Sequence, residues 1–358
     1  MDKELDEWRD GVDRTILATL ASVAAAMIPV GAASHDITQA IANAAEGGKR
    51  LRSVLLLASH YAHGGLAPRP AIALGAALEL FHTGALLHDD ILDDSDTRRG
   101  RPSTHRLFAT HHQEKGWEGD PLAFGNAGAI LAGDVALMAA DRALYTATSA
   151  LSGAPRDRVA SLFHDTVDLV VAGQYLDMRI ATQPVETLGQ QEADIRTTMR
   201  AKTAAYTGEA PLALGAASAG KTDTQIDAIR EAGVFLGLSF QLRDDILGLC
   251  GDPAVTGKPA GGDIREGKRT LLMWYAWTRA NVSQLTTLRR ALGVRTASDG
   301  DVAAAIEVVR QVGAFQAVEE EIDAASQQAQ ARINSLGLQE PYASLIVKIA
   351  AEAADRDR

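Results

Sequence analysis

Apolar residues recur along most of the chain at the three- and four-residue spacing of a helix face, in long segments rich in alanine and leucine. Short glycine- and proline-bearing stretches interrupt them: HGGLAPRP at 63–70, HHQEKGWEGDPLAFGN at 111–126, LSGAPRD at 151–157, TQPVETLG at 182–189, GDPAVTGKPAGGD at 251–263 and VRTASDGD at 294–301. Alternating β-branched runs, the mark of strands, are nearly absent. The pattern predicts an all-α protein. None of the breaks is long or polar enough to be a domain linker, and no repeat recurs at a fixed period. One large helical domain over residues 1–358 is therefore expected, although it exceeds the usual domain size.

Composition adds little to this picture but narrows the partners. At 46% hydrophobic residues over 358 positions the chain can bury a sizeable core. A net charge of −11 argues against a nucleic-acid-coating protein, so a polyanionic ligand would need a local basic site. The single cysteine, Cys250, excludes an intramolecular disulfide and fits a reducing, cytoplasmic setting. The opening MDKELDEWRD lacks the basic start of a secretory signal. From Ile16, ILATLASVAAAMIPVGAA is long enough to approach a membrane span, but it is mostly alanine and is broken by Pro29 and Gly31. A packed helix, with no membrane span, is expected there.

Charge patterning is most unusual in ALELFHTGALLHDDILDD, where apolar residues at helical spacing run into a cluster of aspartates. The cluster is expected at the C-terminal end of a buried helix, the end with partial negative charge, where carboxylates are unfavourable unless cations compensate. Asp89 and Asp93 share one face at i,i+4, and Asp90 and Asp94 the next. Such pairs suit a hard divalent cation; magnesium keeps several waters and binds one or two carboxylates plus phosphate oxygens. Taken alone, the motif reads equally well as a solvated acidic turn. FQLRDDILGLCGD at 240–252 repeats the arrangement with Asp244 and Asp245, and carboxylates from opposed helices are one way to build a multi-metal site in a bundle.

Cations that match a diphosphate are also present. Lys49 and Arg52 lie in GGKRLRS, Arg98 and Arg99 follow the first aspartates, Lys202 lies in RAKTAAYTGEAPL, and Lys258 and Lys268 lie in TGKPAGGDIREGKRT. Arginine offers a planar fork and lysine a compact charge, enough in combination for two phosphate groups. Taken singly, Lys49 and Lys268 read as surface charges. His82, seven residues before Asp89 among apolar neighbours, is either a core histidine or a phosphate donor. His88 reads as structural.

The ordered set GGKRLRS, ELFHTGALLHDDILDDSDTRRGRP, AGQYLD, KTAAY, FQLRDDILG and GKPAGGDIREGKRT resembles the trans-isoprenyl diphosphate synthases, or polyprenyl synthetases, over roughly residues 45 to 275. The resemblance implies an all-α bundle of the isoprenoid synthase type with a central cavity, usually a homodimer. It implies Asp89, Asp90 and Asp93 as the first magnesium site and Asp244 with Asp245 as the second. Lys49, Arg52, His82 and Arg99 become ligands of isopentenyl diphosphate. Arg98, Lys202 and Lys258 become ligands of the allylic diphosphate, with Gln174 and Gln241 as polar neighbours. The second motif departs from DDxxD: its last position is Gly248, so water or Asp252 would have to fill the missing place.

The implied chemistry is electrophilic elongation: magnesium and the basic residues draw charge from the allylic diphosphate, its C–O bond ionises, and isopentenyl diphosphate attacks the cation. The released diphosphate, rather than a cation-bound aspartate, is the expected proton acceptor. Gly84 and Ala85 lie about one turn (~5.4 Å) beneath Asp89. Bulky residues there stop short chains in the family, so the small ones imply a deeper pocket with Phe81 as its next floor. Geranylgeranyl diphosphate is the expected product, made from dimethylallyl, geranyl or farnesyl diphosphate, with farnesyl or longer products as alternatives. In the competing reading the small residues serve close helix packing. A terpene cyclase has no need of the isopentenyl diphosphate ligands. A metal phosphohydrolase would use His88 and Asp89 with further histidines, among them His105, His111, His112 and His164. A regulatory synthase subunit would have lost acids or basic ligands.

Overall fold

The computed structural model describes residues 1–250 and 261–355. The described residues form sixteen α-helices, with one two-residue hairpin as the sole sheet among them, as the periodicity predicts. They group into two compact units, residues 1–162 with 214–223 and residues 163–213 with 224–358.

The first unit contains α1 (Asp2–Met27), α2 (Ala33–Ala45), α3 (Leu51–Ala62), α4 (Pro68–Leu92), α5 (Thr104–Glu114) and α6 (Pro121–Ser149). Proline in the first turn opens both α4 and α6, and the Asp120 side chain caps α6 by accepting from the Leu122 amide at 2.9 Å. α4 is apolar nearly all round and is buried along most of its length, as such a helix must be. It packs closely on α6, whose buried face is built from small residues, including Ala129, Gly133, Ala136 and Ala140. Their size is required. A Cβ on Gly133 would overlap the His88 ring, and one on Gly84 would lie 3.0 Å from Leu137 Cδ2 and 3.1 Å from the Gly133 carbonyl oxygen. The interhelical distance is thus set by the side chains missing at the contact.

In the second unit, α10 (Asp223–Cys250) contributes Leu242, Ile246 and Leu249 to a core completed by Ile264, Leu272, Met273, Val309 and Val318. α8 (Glu192–Thr198) runs into a π-helical stretch, Met199–Glu209. This stretch meets α10 backbone to backbone. A Cβ on Gly208 would overlap the Gly233 carbonyl oxygen, and one on Gly237 would lie 2.8 Å from Ala204 Cβ. Wide helical turns of this kind are costly and cluster at functional sites.

Breaks at 63–67 and 115–120 fall inside the interruptions expected from sequence, and those at 150–153 and 292–298 overlap them. Those at 46–50, 93–103, 280–281 and 336–341 were not expected. Three described helices, Asp2–Val30, Pro68–Leu92 and Pro121–Ser149, are long and apolar enough to cross a membrane.

Candidate active site

Asp89 and Asp90 occupy the last turn of α4, and Asp93 follows its final helical residue, Leu92, as its C-cap. The chain then turns through Asp94 in the left-handed region (φ 55°), a conformation aspartate tolerates. The cations that such a helix end demands come from the following residues. Arg98 Nε donates to Asp90 Oδ1 at 2.8 Å, a second Arg98 nitrogen contacts the same oxygen, and Asp89 Oδ2 lies 3.5 Å away. Arg106 pairs with Asp94 at 2.9 Å and Asp96 at 2.7 Å. Burial alone would lower the Arg98 pKa, but the charge and hydrogen bond of buried Asp90 raise it above the ordinary value. Asp89 and Asp93 remain half-buried on a shared face.

A type I′-like hairpin positions the adjacent cations. Thr97–Arg98 pairs antiparallel with Arg101–Pro102, and Arg99 and Gly100 both take positive φ between them. Arg99 Nη1 donates to the Glu46 carbonyl at 3.1 Å, and Arg101 pairs with the Glu46 carboxylate at 2.9 Å, so the hairpin sits on the 46–50 loop. A Cβ at Gly48, whose φ is +89°, would lie 3.3 Å from Arg99 Nη2. His82 is surrounded by these charges: desolvation first, then Arg52, Arg99, Arg98 and Arg50, push its imidazole well below the ordinary range. Such a concentration of basic groups is suited to an anion. Arg52 is buried, Arg99 is exposed, and Lys49 is exposed in the same loop.

Sequence reasoning missed the frame of this site. Arg50 is buried, donates to the Ala45 carbonyl at 2.7 Å, and pairs with Asp13 at 2.7 Å and Glu79 at 3.5 Å. Buried Glu79 also accepts from the Ser53 hydroxyl at 2.9 Å, tying α3 to α4. A glutamate in the middle of an apolar helix was the available signal.

The part of α7 (Ala154–Ala181) that belongs to the second unit carries Gln174 and Asp177, and Lys202 Nζ donates to Asp177 Oδ2 at 2.7 Å. Gly173 makes this approach possible: a Cβ there would lie 2.6 Å from the Lys202 amide nitrogen. On α10, Gln241 Nε2 donates to Asp245 Oδ1 at 2.6 Å. Asp245 is buried, and its Oδ2 has no hydrogen-bond partner among the described residues. Burial first, then the charges of Asp263 and Asp244, raise its pKa well above the usual carboxylate range against the Gln241 bond. Lys268 is not a solvated surface charge: it lies 3.0 Å from Glu266 and 3.4 Å from Asp263. Lys258 and Asp252 lie outside the described residues.

His88 is structural, its Nε2 3.1 Å from the Ile130 carbonyl. His105 lies against Ser103, and His112 against the Glu118 carbonyl and an aromatic group with Trp117 and Phe124, away from a shared metal arrangement. Among the described residues no three His, Cys, Asp or Glu side chains are grouped as a complete metal cage. The donors present, Asp89 with Asp93 and Asp244 with the unpartnered Asp245 oxygen, are hard oxygens in ones and twos. That set fits a divalent ion that completes its shell with water and phosphate.

Residues 34–309 match the polyprenyl synthetase family model, and the chain belongs to this family. It is a prenyltransferase, a trans-prenyl diphosphate synthase. It is 35% identical over 271 residues to the geranylfarnesyl diphosphate synthase of Aeropyrum pernix, covering 75% of this chain and 77% of that protein. It is 35% identical over 291 residues to the geranylgeranyl diphosphate synthase of Mycobacterium tuberculosis, covering 79% and 75%. A geranylgeranyl pyrophosphate synthase from Corynebacterium glutamicum, solved with isoprenyl diphosphate and magnesium, superposes with a TM-score of 0.92 at 34% identity, covering 98% of this chain and 99% of that one.

Proposed function

We propose that the protein condenses isopentenyl diphosphate with dimethylallyl, geranyl or farnesyl diphosphate to give geranylgeranyl diphosphate, with magnesium bound at Asp89, Asp90, Asp93 and Asp244. The observation that carries the reading is the placement of Arg52 and Arg99 about His82, a basic group separate in sequence from Lys202 and Asp244. Two anion sites are what a two-substrate condensation needs and a cyclase does not. The Corynebacterium relative, solved with magnesium and isoprenyl diphosphate, supports the same reading.

Bound metal supplies Lewis-acid charge to the leaving diphosphate. The resemblance assigns Lys202, held by Asp177, and Arg98, held by Asp90, to the allylic diphosphate, whose charge they offset as its C–O bond breaks. Arg52, Lys49, Arg99 and His82 hold isopentenyl diphosphate so that its double bond meets the allylic carbon. No aspartate is assigned as base, and the departing diphosphate takes the proton. Gln174 and Gln241 orient the polar groups around it, and Lys258 belongs to the allylic set by resemblance.

Product length remains tied to Ala85 and Phe81, since the size of Gly84 is already required by α6. Because the family match over residues 34–309 takes in residues of both units, we regard residues 1–358 as one catalytic domain. Apolar residues stay exposed on α6, among them Leu131, Met138 and Tyr145, and on α7, Val171 and Tyr175. Such patches fit a second copy of the chain, which supports a homodimer over a membrane-spanning role for these helices. The single cysteine supports a cytoplasmic location. Steady-state kinetics of Arg52→Gln test the assignment: the KM for isopentenyl diphosphate rises about tenfold or more while that of the allylic substrate stays near its wild-type value. The reverse pattern would exchange the two sites.

A further inference from the structure

The π-helical stretch Met199–Glu209 is spanned by an ion pair that an ordinary helix could not form. Arg200 Nε donates to Glu209 Oε1 at 3.1 Å and Nη2 to Oε2 at 3.3 Å, so guanidinium and carboxylate meet fork to fork. The two residues are nine apart in sequence. In an α-helix nine residues make about 2.5 turns, which puts such a pair on opposite faces and ~13.5 Å apart along the axis. Bonds that reach five residues back, as from the Ala210 amide to the Ala205 carbonyl, widen each turn by about one residue. Nine residues then make about two turns, and Arg200 and Glu209 return to one face. Nor is the pair a solvated surface contact: Glu209 is 6% exposed, and Arg200 is its one ion-pair partner among the described residues. A carboxylate buried to that degree requires its partner, and the partner is within reach in the wide winding alone.

The winding bears on Lys202, which lies inside the stretch. Between Met199 and Lys202 the narrow and wide windings diverge by roughly 60°. That is enough to carry Lys202 Nζ away from Asp177 Oδ2, now 2.7 Å distant. We propose that the Arg200–Glu209 pair is a register clamp: it holds residues 199–209 in the wide winding and thereby keeps Lys202 against Asp177, in the orientation the allylic diphosphate requires. Arg200 and Glu209 are positioning residues that act through Lys202. The close backbone contacts at Gly173, Gly208 and Gly237 leave room for the stretch, but glycine permits a register without selecting one. The ion pair selects it. The inference rests on the assignment of Lys202 to the allylic substrate in the previous section.

The test combines steady-state kinetics with amide hydrogen exchange on the full chain. Glu209→Gln is the first variant, because it leaves Arg200 in water and buries no unpaired charge. Arg200→Gln is the second, with far-UV circular dichroism to verify folding. Each is expected to raise the KM for the allylic diphosphate about fivefold or more, to leave that for isopentenyl diphosphate within about twofold, and to speed exchange across residues 199–209 about tenfold or more. Arg200→Lys, which keeps the charge, is expected to recover part of the loss. In a Lys202→Ala background, Glu209→Gln is expected to add less than about twofold, because the route through Lys202 is already broken. Unchanged exchange and allylic KM in Glu209→Gln, or a full further loss in the Lys202→Ala background, would overturn the proposal. A Lys202→Ala enzyme with wild-type allylic KM, beside faster exchange in Glu209→Gln, would uphold the clamp on the winding and overturn the assignment of Lys202 beneath it.

Discussion

Arg98 lies across Asp90, with its Nε 2.8 Å from Oδ1, on the acidic end of α4. Asp90 is 4% exposed, so this is a charge that folding buries only because a partner accompanies it. Arg98→Leu should leave that carboxylate without its main compensation and destabilise the metal-free protein by about 3 kcal/mol, the lower end for a broken buried pair because Arg98 itself is partly exposed. Urea unfolding measures the loss. A change under about 0.5 kcal/mol would mean that the other cations at the helix end suffice.

Gly173 and Lys202 define the second relationship. Gly173→Ala places a methyl 2.6 Å from a backbone nitrogen, an atom that cannot swing aside. The expected outcome is a loss of about 1–3 kcal/mol in stability. It is also a fall in kcat larger than that of a neutral surface change, since the Lys202–Asp177 pair is displaced. Retention of both melting temperature and kcat would show that the π-helical stretch yields freely.

His60 gives the pH dependence. Its Nδ1 lies 2.8 Å from the Ser218 hydroxyl, and burial first, then the charge of His63, lowers its pKa from 6.5 to about 4. The unfolded chain therefore takes up this proton before the folded one does. Stability from this group is fully present above pH 6.5 and is lost as pH falls toward 4, by about 3 kcal/mol in all. Denaturant titrations from about pH 7 to about pH 4.5 should show the fall, and His60→Gln should flatten it. A slope unchanged by that substitution would assign the effect elsewhere.

Helix type, the acidic helix end and the basic residues were legible because each is local: periodicity marks a helix, and a run of aspartates at its C-terminus calls for cations. The partners were not. Nothing in the spacing shows that Arg98 settles on Asp90, that Asp177 holds Lys202, or that Glu79 ties Arg50 to Ser53, since these pairings depend on how helices pack. Gly248 reads in sequence as a loss, whereas in the fold a Cβ there would overlap Asp263 Oδ2. Gly84 reads as an open pocket wall, yet its missing side chain is used against Gly133 and Leu137.

That distinction separates two positions one residue apart. Gly84→Phe should cost about 1–3 kcal/mol through pressure on α6, visible as a lower melting temperature. Ala85→Phe should spare stability and shorten the product by at least one isoprene unit, while Phe81→Ala should lengthen it. Identical products from all three variants would remove this wall from the control of chain length.

The most direct test is product identity. Purified protein is incubated with magnesium, isopentenyl diphosphate and, separately, each of dimethylallyl, geranyl and farnesyl diphosphate, and the dephosphorylated products are identified by mass. The account predicts geranylgeraniol as the end product from every starter. Accumulation of a shorter or longer alcohol would contradict the assigned chain length, and absence of condensation with any starter would contradict the prenyl-elongation reading itself.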